Sequence, residues 1–216
     1  MTQFLDGDVL AIDLPPKSIR GGPHRLESPP ELEDLTLGEF AESALTDIDA
    51  AGFDRFVLVG HSMGGLTISE IARREPDRVE HLVYVSCIVP REGESAMEAL
   101  PAVLLETMPD AVEMFCNDMD EDQTRFVLDN MGTEAAQVLH ERAVRSGVPP
   151  ELPKTFVRLL QDQSLPLIDQ GVYVQNLRDC PGGDVDVITI DAGHDVMISR
   201  PKELADVLNP IAAAVP

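Results

Sequence analysis

The chain has 216 residues, 44% hydrophobic and 25% charged, which is enough to bury the core of one large domain or two small ones. None of its apolar runs reaches the roughly 18 residues of a membrane span, so we expect no membrane partner. Sixteen basic against 39 acidic residues give a formal charge of −23, which excludes nucleic-acid binding through a basic surface.

The cysteines and the first residues indicate a compartment. Cys87, Cys116 and Cys180 are odd in number and lack the spacing of metal ligands, so free thiols in a reducing environment explain them best. The opening MTQFLDGD lacks the basic and apolar regions of a signal peptide. We therefore expect a soluble, acidic, cytoplasmic protein.

Strand and helix patterns alternate along most of the chain. Short apolar runs predict buried strands, and apolar residues at helical spacing predict the helices between them. Strands are predicted over residues 8–14, 55–60, 79–86, 155–160 and 185–191. Helices are predicted over residues 36–52, 64–74, 166–178 and 201–214. This order predicts a mostly parallel sheet with helices on both faces.

Particular residues mark where these elements begin and end. Thr36 is the expected N-cap of the first helix, because Glu39 three positions later completes a capping box, and Gly52 ends the helix. Pro201 suits the first turn of the last helix. Residues 15–35 carry many Pro, Gly and Glu residues and are predicted to form a surface loop.

The alternation breaks at Pro90. Residues 91–152 have a helical, Met-rich pattern without a clear strand, which predicts an inserted helical cap. We expect residues 1–90 and 153–216 to form the core. The methionines of the cap are more typical of core packing than of a substrate wall; they are Met97, Met108, Met114, Met119 and Met131.

The strongest chemical signal is GHSMGG at residues 60–65, between a predicted strand and a predicted helix. A sharp turn there would expose the Ser62 hydroxyl as a nucleophile, and the Met63 N–H would face a developing oxyanion. Glycines at 60 and 64 are expected because side chains would clash with the neighbouring strand and helix. The alternative is a glycine-rich turn with an incidental serine.

A nucleophilic serine needs a base, and His194 is the best-placed histidine. It follows the last predicted strand, at the sheet edge where open α/β sheets form their sites. A structural role for it stays open. His61 is expected to shape the turn beside Ser62. The remaining histidines lie in a loop, on a strand and in the cap; they are His24, His81 and His140.

The imidazole in turn needs an acid, and Asp162 directly follows a predicted strand at the same edge. Asp169 and Asp179 lie on or after the next helix, and Asp195 adjoins His194 too closely to reach its ring. Ser62, Asp162 and His194 are therefore the predicted catalytic residues.

These residues and the segments around them make the chain resemble the α/β-hydrolases. It is most similar to the small esterases that include plant methylesterases, hydroxynitrile lyases and bacterial relatives. The matching segments are VLAIDLP (9–15), FVLVGHSMGG (56–65), LLQDQSLP (159–166) and DAGHDVMISRPKELA (191–205). The resemblance implies an α/β-hydrolase fold and supports Asp162, four residues before Pro166, as the acid. Asp195 stands where the lyases have a lysine, which argues against lyase activity.

The resemblance also predicts a departure at the start. Family members open with a strand and a His-Gly loop that supplies a second oxyanion donor, and nothing before Asp8 matches them. We expect the chain to lack this usual first strand, which would lie between strands 8–14 and 55–60. MTQFLDGD would be the tail of a helix, and Met1 a truncated or misassigned start.

The expected function is hydrolysis of small carboxylic esters through a Ser-His-Asp triad and an acyl-enzyme intermediate. The partner is then a small-molecule ester, and we expect neither a cofactor nor a metal ion. The sequence is compatible with a homodimer and does not identify the substrate. The alternative is a ligand-binding protein of the same fold without turnover, or a truncated, inactive hydrolase.

Overall fold

The computed structural model describes residues 1–15, 32, 34–101, 110–132 and 135–215. Most of the predicted loop over 15–35, including His24, and Met108 of the cap lie outside these ranges. Within them, four strands form one sheet in the order β1-β2-β3-β4, and all neighbouring strands are parallel. The strands are β1 (Phe56–Ser62), β2 (Val79–Cys87), β3 (Lys154–Leu159) and β4 (Asp186–Ile190). The predicted parallel sheet is confirmed.

The helices account for every helix that the sequence predicts. They are α1 (Leu37–Ala51), α2 (Gly64–Arg74), α3 (Ala96–Ala99), α4 (Ala111–Phe115), α5 (Glu121–Asn130), α6 (Ala136–His140), α7 (Leu167–Asp179), α8 (Val196–Ser199) and α9 (Pro201–Ala213), with a 3₁₀ helix at Thr2–Phe4. Among the described residues, none of these helices combines the length and apolarity that crossing a bilayer requires.

The ends of α1 form as its sequence predicts. The Thr36 hydroxyl accepts a hydrogen bond from the Glu39 N–H, and the Glu39 carboxylate accepts one from the Thr36 N–H, so the capping box is complete. Gly52 ends the helix with a φ of +79°, a left-handed conformation that glycine adopts without a steric penalty. The apolar stripe of the helix packs against α2 and joins the core.

Side chains that alternate along the strands build two core layers. Leu82 and Tyr84 of β2 point to one face of the sheet, where α1, α2 and α7 pack. Val83 and Val85 point to the other face, which α9 covers. Because both faces are covered, the central strands are apolar on both sides, as is typical of parallel sheets.

Residues 8–14 do not form the predicted strand, and this prediction is wrong. Val9 and Leu10 are exposed to 44% and 37%, while Ile12 and Leu14 pack only partly against the core. A strand requires a neighbour about 4.8 Å away to pair with, and β1 is the outer strand of the sheet in the described part of the chain. The apolar pattern alone could not show that this partner is lacking here.

The first residues lie against the last helix. The Asp6 N–H donates to the side-chain oxygen of Asn209, and the Asn209 amide donates to the Phe4 carbonyl. The helical tail predicted for this region is thus a single 3₁₀ turn at Thr2–Phe4 that packs on α9.

Residues 91–152, called the cap segment below, contain the short helices α3 to α6 between β2 and β3. In the described part of this segment, the only β pairing is one isolated antiparallel bridge between Ser95 and Arg142. The helical character predicted here is therefore observed, although in shorter pieces. Its standing as a separate cap domain stays a prediction.

Candidate active site

Ser62 lies in a strained turn between β1 and α2. Its φ is +53°, a left-handed conformation that is uncommon for a residue with a side chain. A Cβ atom at Gly60 would lie 2.8 Å from the Gly64 carbonyl oxygen, so only glycine allows the chain to turn back this sharply. Met63 is the N-cap residue of α2, which places its N–H at the positive end of the helix dipole.

The second glycine that the turn requires is Gly65 rather than Gly64. A Cβ atom at Gly64 would meet nothing within 4 Å, so the clash predicted for this position is wrong. At Gly65 a Cβ atom would lie 2.6 Å from the Cβ atom of Cys87 and 3.1 Å from the Ile88 carbonyl oxygen. The glycine lets α2 begin in close contact with the end of β2, which holds the turn in place.

Asp162 and His194 form a buried pair at the carboxyl edge of the sheet. Asp162 follows β3 and His194 follows β4, and the His194 Nδ1 atom lies 2.7 Å from the Asp162 Oδ2 atom. Their side chains are 0% and 1% exposed, respectively. Since an ionised carboxylate only accepts hydrogen bonds, Nδ1 carries the proton, and Nε2 remains as a basic nitrogen.

Hydrogen bonds keep Asp162 ionised although it is buried. Its Oδ1 atom accepts from the backbone N–H groups of Ser164 and Leu165, both at 2.8 Å. Its Oδ2 atom accepts from the Ser86 hydroxyl at 2.6 Å as well as from His194. Burial raises the pKa of Asp162, but His194 and the other donors outweigh it, so this pKa lies below its ordinary value.

His61 connects the Ser62 turn to the loop that carries His194. Its Nε2 atom lies 2.9 Å from the His194 carbonyl oxygen, and the two imidazole ring centroids are 4.5 Å apart. Burial and the neighbouring His194 lower the pKa of His61 to about 3, so the ring is neutral and donates to that carbonyl. This geometry fits the shaping role expected from the sequence.

The remaining candidates lie elsewhere. His81 contacts the Thr155 hydroxyl at 2.8 Å in the amino-terminal half of the sheet, away from Ser62. His140 lies at the end of α6, while Asp169 and Asp179 lie within α7. Asp195 lies 3.9 Å from the His61 Nε2 atom, whereas Asp162 occupies the position beside the His194 Nδ1 atom.

Three ligand atoms that could hold a metal ion lie close together. His61, His194 and Asp195 bring one such atom each within 4.8 Å of one another. His194 Nδ1 already contacts Asp162, so an ion there would have to take Nε2. The arrangement therefore fits a proton-accepting His194 better than a resident metal.

Some residues that surround the pair are not among those predicted from the sequence. Ser86 is one of them, although a lone serine that follows LVYV at the end of a predicted strand is a usable signal. Phe115 of the cap segment places its ring centroid 5.5 Å from that of His194. The Asn117 amide donates to the Gln161 carbonyl oxygen at 2.9 Å, so the cap segment touches the loop after β3. No sequence pattern marked the cap residues.

Comparison with known proteins assigns the chain to a family. The chain matches the alpha/beta hydrolase family over residues 1–207. The chain belongs to this family. This α/β-hydrolase is 29% identical over 195 residues to the carbendazim hydrolyzing esterase of Nocardioides sp., covering 82% of this chain and 79% of the relative. It is 30% identical over 212 residues to Esterase PIR7B of Oryza sativa subsp. japonica, covering 82% and 77%.

A solved structure agrees with the fold. The crystal structure of a pyrethroid hydrolase from Sphingobium faniae JZ-2 superimposes with a TM-score of 0.70 at 23% identity, covering 85% of this chain and 80% of that one. The predicted fold class and the resemblance to the esterase group of α/β-hydrolases are confirmed. Because it belongs to this family and its named relatives are esterases and hydrolases, the chain is an enzyme of the ester hydrolase type.

Proposed function

We propose that this α/β-hydrolase cleaves small carboxylic esters with Ser62 as nucleophile, His194 as base and Asp162 as the orienting acid. One observation carries the proposal: the buried Asp162–His194 hydrogen bond of 2.7 Å lies at the sheet edge where β1 ends in the strained Ser62. His61 supports the same assignment, since it directly precedes Ser62 in β1 and contacts the His194 carbonyl oxygen.

The reaction follows from this arrangement. His194 Nε2 accepts the Ser62 proton as Oγ attacks the ester carbonyl, and Asp162 stabilises the imidazolium that forms. The Met63 N–H donates to the oxyanion of the tetrahedral intermediate. The alcohol leaves with the proton from His194 and an acyl-Ser62 ester remains. Water then attacks this ester, with His194 again accepting a proton, and the carboxylic acid is released.

The cap segment is proposed to cover the substrate. Phe115 packs beside the His194 ring, and the Gln123 amide donates to the Ile198 carbonyl oxygen in α8, which follows β4. The Asn117 amide donates to the Gln161 carbonyl oxygen, so the cap segment also reaches the loop after β3. Phe115 would offer an apolar surface to the substrate. We therefore expect esters with an apolar acyl or alcohol group to react faster than small polar ones.

A labelling experiment tests the nucleophile. The protein is incubated with a fluorophosphonate and its intact mass is measured, with Ser62→Ala as the matched control. A single adduct on the parent that is lost in Ser62→Ala supports the proposal. Labelling that persists in Ser62→Ala would refute Ser62 as the nucleophile.

An ester panel then tests turnover. It contains p-nitrophenyl esters of increasing acyl length, with carbendazim and a pyrethroid because relatives are named for acting on them. Saturable ligand binding without labelling or turnover would favour the non-turnover alternative. A cytoplasmic location and a homodimer stay predictions; the three cysteines are free thiols, in keeping with the former.

A further inference from the structure

We propose that Ser86 is a positioning residue, whose hydroxyl holds Asp162 and thereby sets the basicity of His194. The inference rests on the proposed function, since it assigns His194 as the base. The Ser86 hydroxyl donates to the Asp162 Oδ2 atom at 2.6 Å, and the same oxygen contacts the His194 Nδ1 atom at 2.7 Å. One carboxylate oxygen is thus shared between the two donors.

The backbone around Ser86 is shaped to aim this hydroxyl. His61 pairs with Val85 and Ser62 pairs with Cys87, so Ser86 is passed over in the ladder between β1 and β2. Its φ is +39°, which makes it one of two residues other than glycine with a positive φ in the described part of the chain. A β-bulge of this kind redirects a side chain, and strain of this kind often accompanies a functional role.

The other strained residue is Ser62, which lies directly across the ladder from this bulge. Ser86 itself is completely buried. Neither solvent exposure nor a turn requirement explains a left-handed serine at the end of a buried strand. The hydrogen bond to Asp162 does explain it, because an extended residue would point its side chain to one face of the sheet.

The chemical effect follows from the number of acceptor sites on Asp162. A carboxylate has about four lone-pair positions, and His194, Ser86 and two backbone N–H groups fill them. The Ser86 hydroxyl draws charge from the oxygen that faces His194. Without it, that charge acts on His194 alone, which favours the imidazolium, so the pKa of His194 should rise.

Other titratable groups near the pair remain unchanged in a Ser86 variant. Among the described residues they are His61 from β1, Asp195 from the loop of His194, and Cys116 and Asp118 from the cap segment. His61 is neutral, because its pKa is about 3. A difference in the pKa of His194 between parent and variant therefore reports the loss of the Ser86 hydroxyl.

Two variants separate the hydroxyl from the backbone strain. Ser86→Ala removes the hydroxyl and retains a side chain at positive φ. Ser86→Gly removes the hydroxyl and also relieves the strain, because glycine adopts positive φ readily. Both variants should change the pKa of His194 by the same amount, and only their thermal stabilities should differ. Ser86→Cys keeps a weak donor of similar shape and should restore part of the parent behaviour.

The decisive measurement is the pKa of His194 by long-range ¹H–¹⁵N NMR of the histidine side chains, assigned with His194→Asn. We expect both variants to raise this pKa by about half to one unit, the order of the usual net contribution of one hydrogen bond. The acidic limb of the fluorophosphonate labelling rate should move to higher pH by the same amount. An unchanged His194 pKa in a folded Ser86→Gly protein would overturn the inference.

The two proposals fail in different ways. If the parent protein is not labelled, the proposed function fails, while the NMR titration still decides the role of Ser86. If the parent is labelled and the variants titrate like it, only the Ser86 inference fails. Should Ser86→Ala not fold, Ser86→Gly and Ser86→Cys still give the result.

Discussion

Replacing Asp162 by asparagine tests the base most directly, because it changes one atom and keeps the side-chain shape. The Oδ1 atom of Asp162 accepts hydrogen bonds from two backbone N–H groups, so the amide oxygen of Asp162→Asn must occupy the Oδ1 position. The amide NH₂ then replaces Oδ2 and faces the His194 Nδ1 atom and the Ser86 hydroxyl. Two donors would face each other at Nδ1 unless the imidazole changes tautomer.

The change of tautomer removes the base. His194 would accept at Nδ1 and carry its proton on Nε2, where it can no longer take the Ser62 proton. The same exchange in a serine protease triad lowers kcat by about 10⁴, which corresponds to about 5 kcal/mol of transition-state stabilisation. We expect a loss of this order in Asp162→Asn.

The assay is kcat/KM on the best ester of the panel, together with the fluorophosphonate labelling rate. Asp169→Asn is the matched control, because it makes the same chemical change in the first turn of α7. We expect the control to stay within about twofold of the parent, which is about 0.4 kcal/mol, because Asp169 lies on α7 whereas Asp162 is the carboxylate beside His194. Thermal unfolding shows whether both variants are folded.

Either of two results would refute the reasoning. A loss of less than about tenfold in folded Asp162→Asn would show that His194 does not depend on this carboxylate, since tenfold is only 1.4 kcal/mol. An equal loss of activity in Asp169→Asn would show that Asp162 is wrongly assigned as the acid.

Three further predictions concern stability, measured by urea unfolding. Gly65→Ala should lower the free energy of unfolding by about 1–3 kcal/mol, because its Cβ atom would lie 2.6 Å from that of Cys87. Gly64→Ala places its Cβ atom in open space and should not lower it. Equal losses in the two variants would contradict this reasoning. Thr36→Ala removes the capping-box hydroxyl and should lower the free energy of unfolding by about 1 kcal/mol. An unchanged free energy would argue against a stabilising role of this helix N-cap. Burial raises the pKa of Glu70, but hydrogen bonds from two arginines of α2 outweigh it, so its pKa lies below the ordinary 4.5. The ionised Glu70 therefore stabilises the fold above that pH, and this stabilisation is lost as the pH falls. Glu70→Gln should be less stable than the parent at pH 7, and the difference in their free energies of unfolding should shrink on acidification. A difference that does not change with pH would refute this reasoning.

Local rules allowed much of the fold to be predicted. The capping box at Thr36 and the helix-ending Gly52 depend on residues a few positions apart, and both form as predicted. The order of strands and helices also follows from short-range periodicity. The segment 8–14 has the same apolar pattern as the true strands, but a strand needs a partner, and periodicity does not show whether one is present.

The candidate site divides in the same way. The sequence by itself determined the motif around Ser62 and the positions of Asp162 and His194 after strands, because each depends on a local pattern and on the parallel order of the sheet. Only the tertiary structure decided that Asp162 meets the His194 Nδ1 atom, that Gly65 rather than Gly64 permits the close packing, and that Ser86 shares the carboxylate. These contacts join residues far apart in the chain, and their distances depend on how the strands and helices pack against one another.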